Sequence, residues 1–169
     1  YQMPAPVAKK VTYTGYLIKP QNAANRLQIR SELGLNGGLF SVVMAGGGGD
    51  GFPIMKTYVE AARLGHHKPH HIDSLLLTGP EMPKAQRQEV ADWCSNGRPL
   101  RHQEFSDEIE NLLVAADVVV SMGGYNSICE ILAYRKKAVV IPRVHPVKEQ
   151  YIRAKRLAEL GLITMIHPD

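Results

Sequence analysis

The chain has 169 residues, a net charge of +4, 44% hydrophobic and 21% charged residues, ordinary proportions for one soluble globular domain. No apolar run of about twenty residues and no signal-peptide pattern is present, which excludes a transmembrane helix. The basic residues are scattered, so nucleic acid is not implied, while the mild positive excess suits a small anionic ligand.

The opening "YQMPAPVAKK" reads as a linker, and residues 11–18, "VTYTGYLI", alternate as a first strand would. Tyr stands at position 1, and the chain stops straight after a strand-like run. The expectation is a piece of a longer protein, with a linker and first strand over residues 1–25 and a binding domain over 26–169. A short helix over 26–33 is ended by "GLNGG".

Strands are then expected at 39–45, 74–78, 100–104, 117–122, 138–142 and 162–166, and helices at 54–64, 84–95, 107–116, 127–134 and 149–160. Runs such as "DVVVSM" and "KAVVIP" are continuously apolar, as strands of a parallel sheet covered on both faces are. The fold class is therefore α/β, a Rossmann-like doubly wound parallel sheet of about six strands. Ligands of such sheets bind beyond the carboxyl ends of the strands, where the strand order reverses.

Between the first of these strands and its helix stand Gly46, Gly47, Gly48 and Gly49, then Asp50 and Gly51. Strand, glycine loop and helix together build a phosphate site, because free backbone N–H groups and the helix N-terminus face an anion. A plain turn is the alternative. Gly46, Gly48 and Gly51 also satisfy G-x-G-x-x-G, but a dinucleotide fold needs an acid about twenty residues on. The nearest candidate, Glu81, comes thirty residues after Gly51. No Gly-Lys-Ser/Thr follows, which excludes a Walker loop.

"HHKPHH", residues 66–71, could pair histidines on a helix, but Pro69 opposes one and no carboxylate or cysteine clusters alongside. It is expected to be a solvated loop without a metal. Cys94 and Cys129 fall in different helices and form no metal motif, which suits reduced thiols in the cytoplasm.

"DVVVSMGGYNSICEIL", residues 117–132, repeats the strand, glycine and helix pattern with Gly123 and Gly124. Asn126 and Ser127 would open a helix toward an anion. Ser127 and Glu130 have the spacing of a capping box, which competes with a ligand role. Past the next strand, His145, Lys148, Glu149 and Gln150 gather at its carboxyl end. Three such loops converge on one sheet edge.

From about "IRSELGL" onward, and most clearly over "FSDEIENLLVAADVVVSMGGYNSICEILAYRKKAVVIPRVHPVKEQYIRAKRLAELG", the sequence resembles the C-terminal, donor-binding domain of GT-B glycosyltransferases of the family 28 type. The resemblance implies a hexosyltransferase using a UDP-sugar. It implies that Gly46 to Gly51 face the diphosphate, and that Phe105 and Ser106 read the base through their backbone. Gly123, Gly124 and Ser127 would form a second phosphate loop, with Asn126 and His145 beside the donor. Glu130 would accept the ribose hydroxyls, and Glu149 and Gln150 would touch the donor sugar. No cofactor or metal is expected, since the protein's dipoles stabilise the leaving diphosphate. No catalytic base is expected in this chain. The base and the acceptor site would lie on an N-terminal domain, which could also bring a cytoplasmic protein to a membrane. Asp50, Tyr125 and Asn126 depart from the family's usual residues and leave base and sugar open. A nucleotide-sugar epimerase or hydrolase, and a noncatalytic dinucleotide module, are the alternatives.

Overall fold

The computed structural model describes residues 3–18, 24–35, 37–65, 72–95 and 99–168. A four-residue helix, α1 (Ala5–Ala8), precedes α2 (Arg26–Glu32), where the Asn25 side chain accepts from the N–H groups of Leu27 and Gln28. Strands and helices then alternate: β1 (Leu39–Met44), α3 (Phe52–Gly65), β2 (Ile72–Leu77), α4 (Lys84–Trp93), β3 (Leu100–Gln103) and α5 (Ile109–Ala115). They continue with β4 (Val118–Ser121), α6 (Tyr125–Ala133), β5 (Lys137–Val140), α7 (Glu149–Glu159) and β6 (Thr164–Met165).

The six strands form one parallel sheet in the order β3-β2-β1-β4-β5-β6. Both faces are covered, so successive strand residues enter different cores. Val42 and Val119 pack with Leu113, Ile128 and Ile131 from α5 and α6. Their neighbours Val43 and Val120 pack with Met55, Val59 and Val90 from α3 and α4. This two-sided burial is why the strands read as unbroken apolar runs.

Residues 11–18, expected as a strand, are not one. The segment pairs with neither edge strand, β3 or β6, and instead lies over α6. Tyr16 stacks on Tyr125 with ring centroids 5.8 Å apart, and the Leu17 N–H donates to the Tyr125 hydroxyl at 3.3 Å. The histidine-rich stretch 66–71 lies outside the described residues. Both thiols are buried and unpaired, and burial pushes Cys94 up to about 11 despite Arg63 nearby. No helix among the described residues is long and apolar enough to cross a membrane.

Candidate functional site

The strand order reverses between β1 and β4, and both glycine loops leave the sheet there. Met44, Ser121 and Val140 are level in the register, so the chains after β1, β4 and β5 emerge side by side. They enclose a cleft of about 470 Å³. Gly46, Gly47, Gly48, Gly49 and Asp50 line it from the first loop, and Gly124 and Ser127 from the second. Arg143 and Pro146 line it from the loop after β5, and Gln150 from α7.

The glycines divide by their surroundings. Gly48 has φ +94°, and a Cβ there would lie 2.0 Å from the Thr78 carbonyl oxygen. A Cβ on Gly51 would lie 2.2 Å from the Ala45 Cβ. The loop after β2 is pressed into the first glycine loop, and the Glu81 N–H donates to the Gly47 carbonyl at 2.8 Å. Internal packing therefore accounts for Gly48 and Gly51. Gly124 is different, with open space where a Cβ would stand. It lines the cleft and caps α6, whose first N–H groups have no side-chain cap.

The helix opens at Tyr125, two residues earlier than expected, which removes the capping box. Ser127 lies within the first turn and cannot be the N-cap. Nearly buried, it faces the cleft. Asn126 and Glu130 point to a second cavity of about 230 Å³ along the same helix. Glu110 and Tyr134 also line it, and Leu17 and Ile18 wall it from the N-terminal segment. Burial raises the Tyr134 hydroxyl above its usual range, helped by the Glu110 carboxylate that accepts its hydrogen bond.

The other expected site residues lie outside both cavities. Gly123 is buried beneath the cleft, and its carbonyl accepts from Arg153 at 2.9 Å. Glu149 is paired with Arg153 one turn along α7. His145 is exposed on the loop after β5. Phe105 is exposed, and the Ser106 hydroxyl accepts from the Glu108 N–H at 3.2 Å. Their loop leads into α5, which carries Glu110 to the second cavity.

Sequence reading missed Arg143 and weighed Glu81 only as a poorly spaced dinucleotide acid. Arg143 donates to Asp50 at 2.8 Å, and its own N–H donates to the Gln150 side-chain oxygen at 3.1 Å. Its signal was a cation directly after Pro142, just beyond the end of β5. Glu81 carried no local signal, because only the packing of two loops brings it to Gly47. Among the described residues, no group of three or more His, Cys, Asp or Glu could hold a metal ion.

The model of the glycosyltransferase family 28 C-terminal domain matches residues 42–168. A UDP-N-acetylglucosamine--N-acetylmuramyl-(pentapeptide) pyrophosphoryl-undecaprenol N-acetylglucosamine transferase of Sulfurihydrogenibium sp. is 26% identical over 137 residues, 69% of this chain and 40% of that protein. Among solved structures, MurG of Acinetobacter baumannii superposes with a TM-score of 0.61 at 18% identity, over 85% of this chain and 40% of that one. A UDP-GlcNAc 2-epimerase of Neisseria meningitidis, bound to UDP-GlcNAc, gives a TM-score of 0.53 at 11% identity, over 85% of this chain and 36% of that one. The two structures share the Rossmann-like fold with this chain. The chain spans about 40% of the length of the first of these relatives.

Proposed function

We propose a function from the premise that this chain belongs to the glycosyltransferase family 28 C-terminal domains. It binds the donor of a hexosyltransferase, a nucleoside-diphosphate sugar with UDP as the nucleotide, for transfer to an acceptor hydroxyl. One observation carries the reading: two glycine loops and the N-terminus of α6, which has no side-chain cap, meet in one cleft at the point where the strand order reverses. A diphosphate in that cleft would receive backbone N–H groups and the positive end of the α6 dipole. The same groups would stabilise the charge that develops as the nucleoside diphosphate leaves, so no metal is called for.

Along α6, Glu130 lies one turn beyond Ser127, in the adjoining cavity. That spacing suits a ribose joined to the diphosphate, with Glu130 accepting its hydroxyls in charge-assisted bonds. Gln150 lines the cleft, its oxygen held by the Arg143 N–H and its amide nitrogen left for the donor sugar, whereas Glu149 lies outside the cleft and is engaged by Arg153. Of the two carboxylates lining the cleft, Asp50 is engaged by Arg143 and Glu81 lies against Gly47 in the first glycine loop, and the base and the acceptor site are assigned to another domain of a cytoplasmic enzyme. Membrane association would come through that domain.

Titrating UDP into the chain while recording backbone amide NMR spectra tests this. Shifts are expected at residues 46–51, 105–106 and 123–130. Shifts with NAD but none with UDP would transfer the cleft to a dinucleotide. Glu130→Gln is expected to raise the UDP dissociation constant about ten- to hundredfold, because losing a charged acceptor costs about 1.5–3 kcal/mol. Isothermal calorimetry measures it, and thermal unfolding of the same variant should change little. An unchanged affinity would remove Glu130 from the site.

A further inference from the structure

We propose that Arg143 recognises the terminal phosphate of the donor's diphosphate, an assignment that rests on the donor-binding function proposed for this cleft. Arg143 is the one cation among the described residues lining the cleft, and two carboxylates, Asp50 and Glu81, line it too. A diphosphate entering there meets more negative than positive side-chain charge. Backbone N–H groups and the α6 dipole offset part of that repulsion, and among the described residues of the lining Arg143 is the one side chain whose charge attracts the ligand.

The geometry favours such a task. One terminal nitrogen, Nη1, donates to Asp50 at 2.8 Å and holds the head group across the mouth between the first glycine loop and the loop after β5. The Nε atom is buried and has no hydrogen-bond partner. An arginine carries five donors in a planar fork that matches phosphate oxygens two at a time. Nε is closed to solvent, and so to a phosphate oxygen as the side chain stands, which leaves the terminal nitrogens of this 36% exposed side chain as the donors to an oxyanion. The backbone of Arg143 is fixed independently, through its N–H on Gln150, so the point from which the arm extends does not depend on its charge. Asp50 is a positioning residue here: it orients the guanidinium and is neutralised by it.

UDP and UMP binding to the chain, measured by calorimetry for four proteins, tests the assignment. These are the unsubstituted chain, Arg143→Ala, Arg143→Lys and the double variant Arg143→Ala/Asp50→Asn. Arg143→Ala is expected to weaken UDP about thirtyfold but UMP, which has no second phosphate, by less than about threefold. Arg143→Lys should keep part of the UDP affinity, since a point charge lacks the fork. The double variant should bind UDP several-fold more tightly than Arg143→Ala, because a carboxylate left without its counter-ion no longer repels the ligand. Equal losses for UMP and UDP overturn the assignment, as does UDP binding by Arg143→Ala within about threefold of the unsubstituted chain. If Arg143→Ala does not fold, the ratio of UDP to UMP affinity in Arg143→Lys decides: a fall supports the assignment and no change overturns it. A chain that binds no UDP before substitution overturns the donor function, and this assignment with it.

Discussion

Gly48→Ala is expected to lower the melting temperature by roughly 10 °C, equivalent to about 3 kcal/mol or more for a domain of this size. Two costs add. The backbone at Gly48 has φ +94°, where an L side chain is strained. The new Cβ would also stand 2.0 Å from the Thr78 carbonyl oxygen and 3.2 Å from the Gly79 Cα. Neither neighbour is a side-chain tip that can swing away, so the β1 and β2 loops must separate. Gly49→Ala is the control, one residue along. Its φ is not left-handed, and its nearest neighbour is a Glu81 carboxylate oxygen at an ordinary 3.8 Å. It should leave stability within about 0.5 kcal/mol. Thermal unfolding by circular dichroism compares the two. Equal melting temperatures would mean that the first glycine loop does not pack against the loop after β2 in this way.

Asp117→Asn is expected to cost about 3 kcal/mol at pH 7, read as a lower urea midpoint. Asp117 stands directly before β4 and ties it to α2 and β1. Its carboxylate accepts from Arg26, from Arg30 at 3.1 Å and from the Phe40 N–H at 2.9 Å. Arg30 is nearly buried, and its other contacts are the backbone carbonyls of Ala115 and Gly38. Without Asp117 its charge has no carboxylate partner among these contacts. Burial alone would raise the Asp117 carboxyl, but the Phe40 N–H and the arginines outweigh it and hold it below the usual range. A carboxyl lowered by folding stabilises the protein above its unfolded value, near 3.9, and that contribution fades as pH falls through the folded value. The gap between the unsubstituted chain and Asp117→Asn should therefore stay constant from about pH 5 to pH 8 and close below about pH 4. A gap that persists in strong acid would show that shape, not charge, is what Asp117 supplies.

The alternation of strands and helices from residue 39 onward was legible because it rests on local periodicity. The runs at Val42–Val43 and Val119–Val120 are apolar on consecutive residues because a parallel sheet buries both faces, and that pattern needs no knowledge of partners. Gly46 to Gly49 and Gly124 were legible as loops at strand ends for the same reason. The start of α6 was not. Ser127 and Glu130 have capping-box spacing, yet the helix continues two residues further toward Gly124. Local spacing cannot say which of several tolerable first turns the packing of Ile128 and Ile131 will select.

The sequence by itself determined the element order from residue 26 onward, the α/β class and the loops on which a ligand site would be built. Tertiary structure alone decided which side chains meet. Residues 11–18 alternate as a strand does, but periodicity does not say whether a sheet edge or a helix face will take the segment up. The segment pairs with no strand of the sheet; it rests on Tyr125 and walls the Glu130 cavity with Leu17 and Ile18. Asp50 and Arg143 are 93 residues apart in the chain and bond only because β4 and β5 follow β1 across the sheet. Hydrophobic periodicity is a short-range signal set by which face of an element is buried. Contacts across a cleft depend on strand order and register, to which every element contributes.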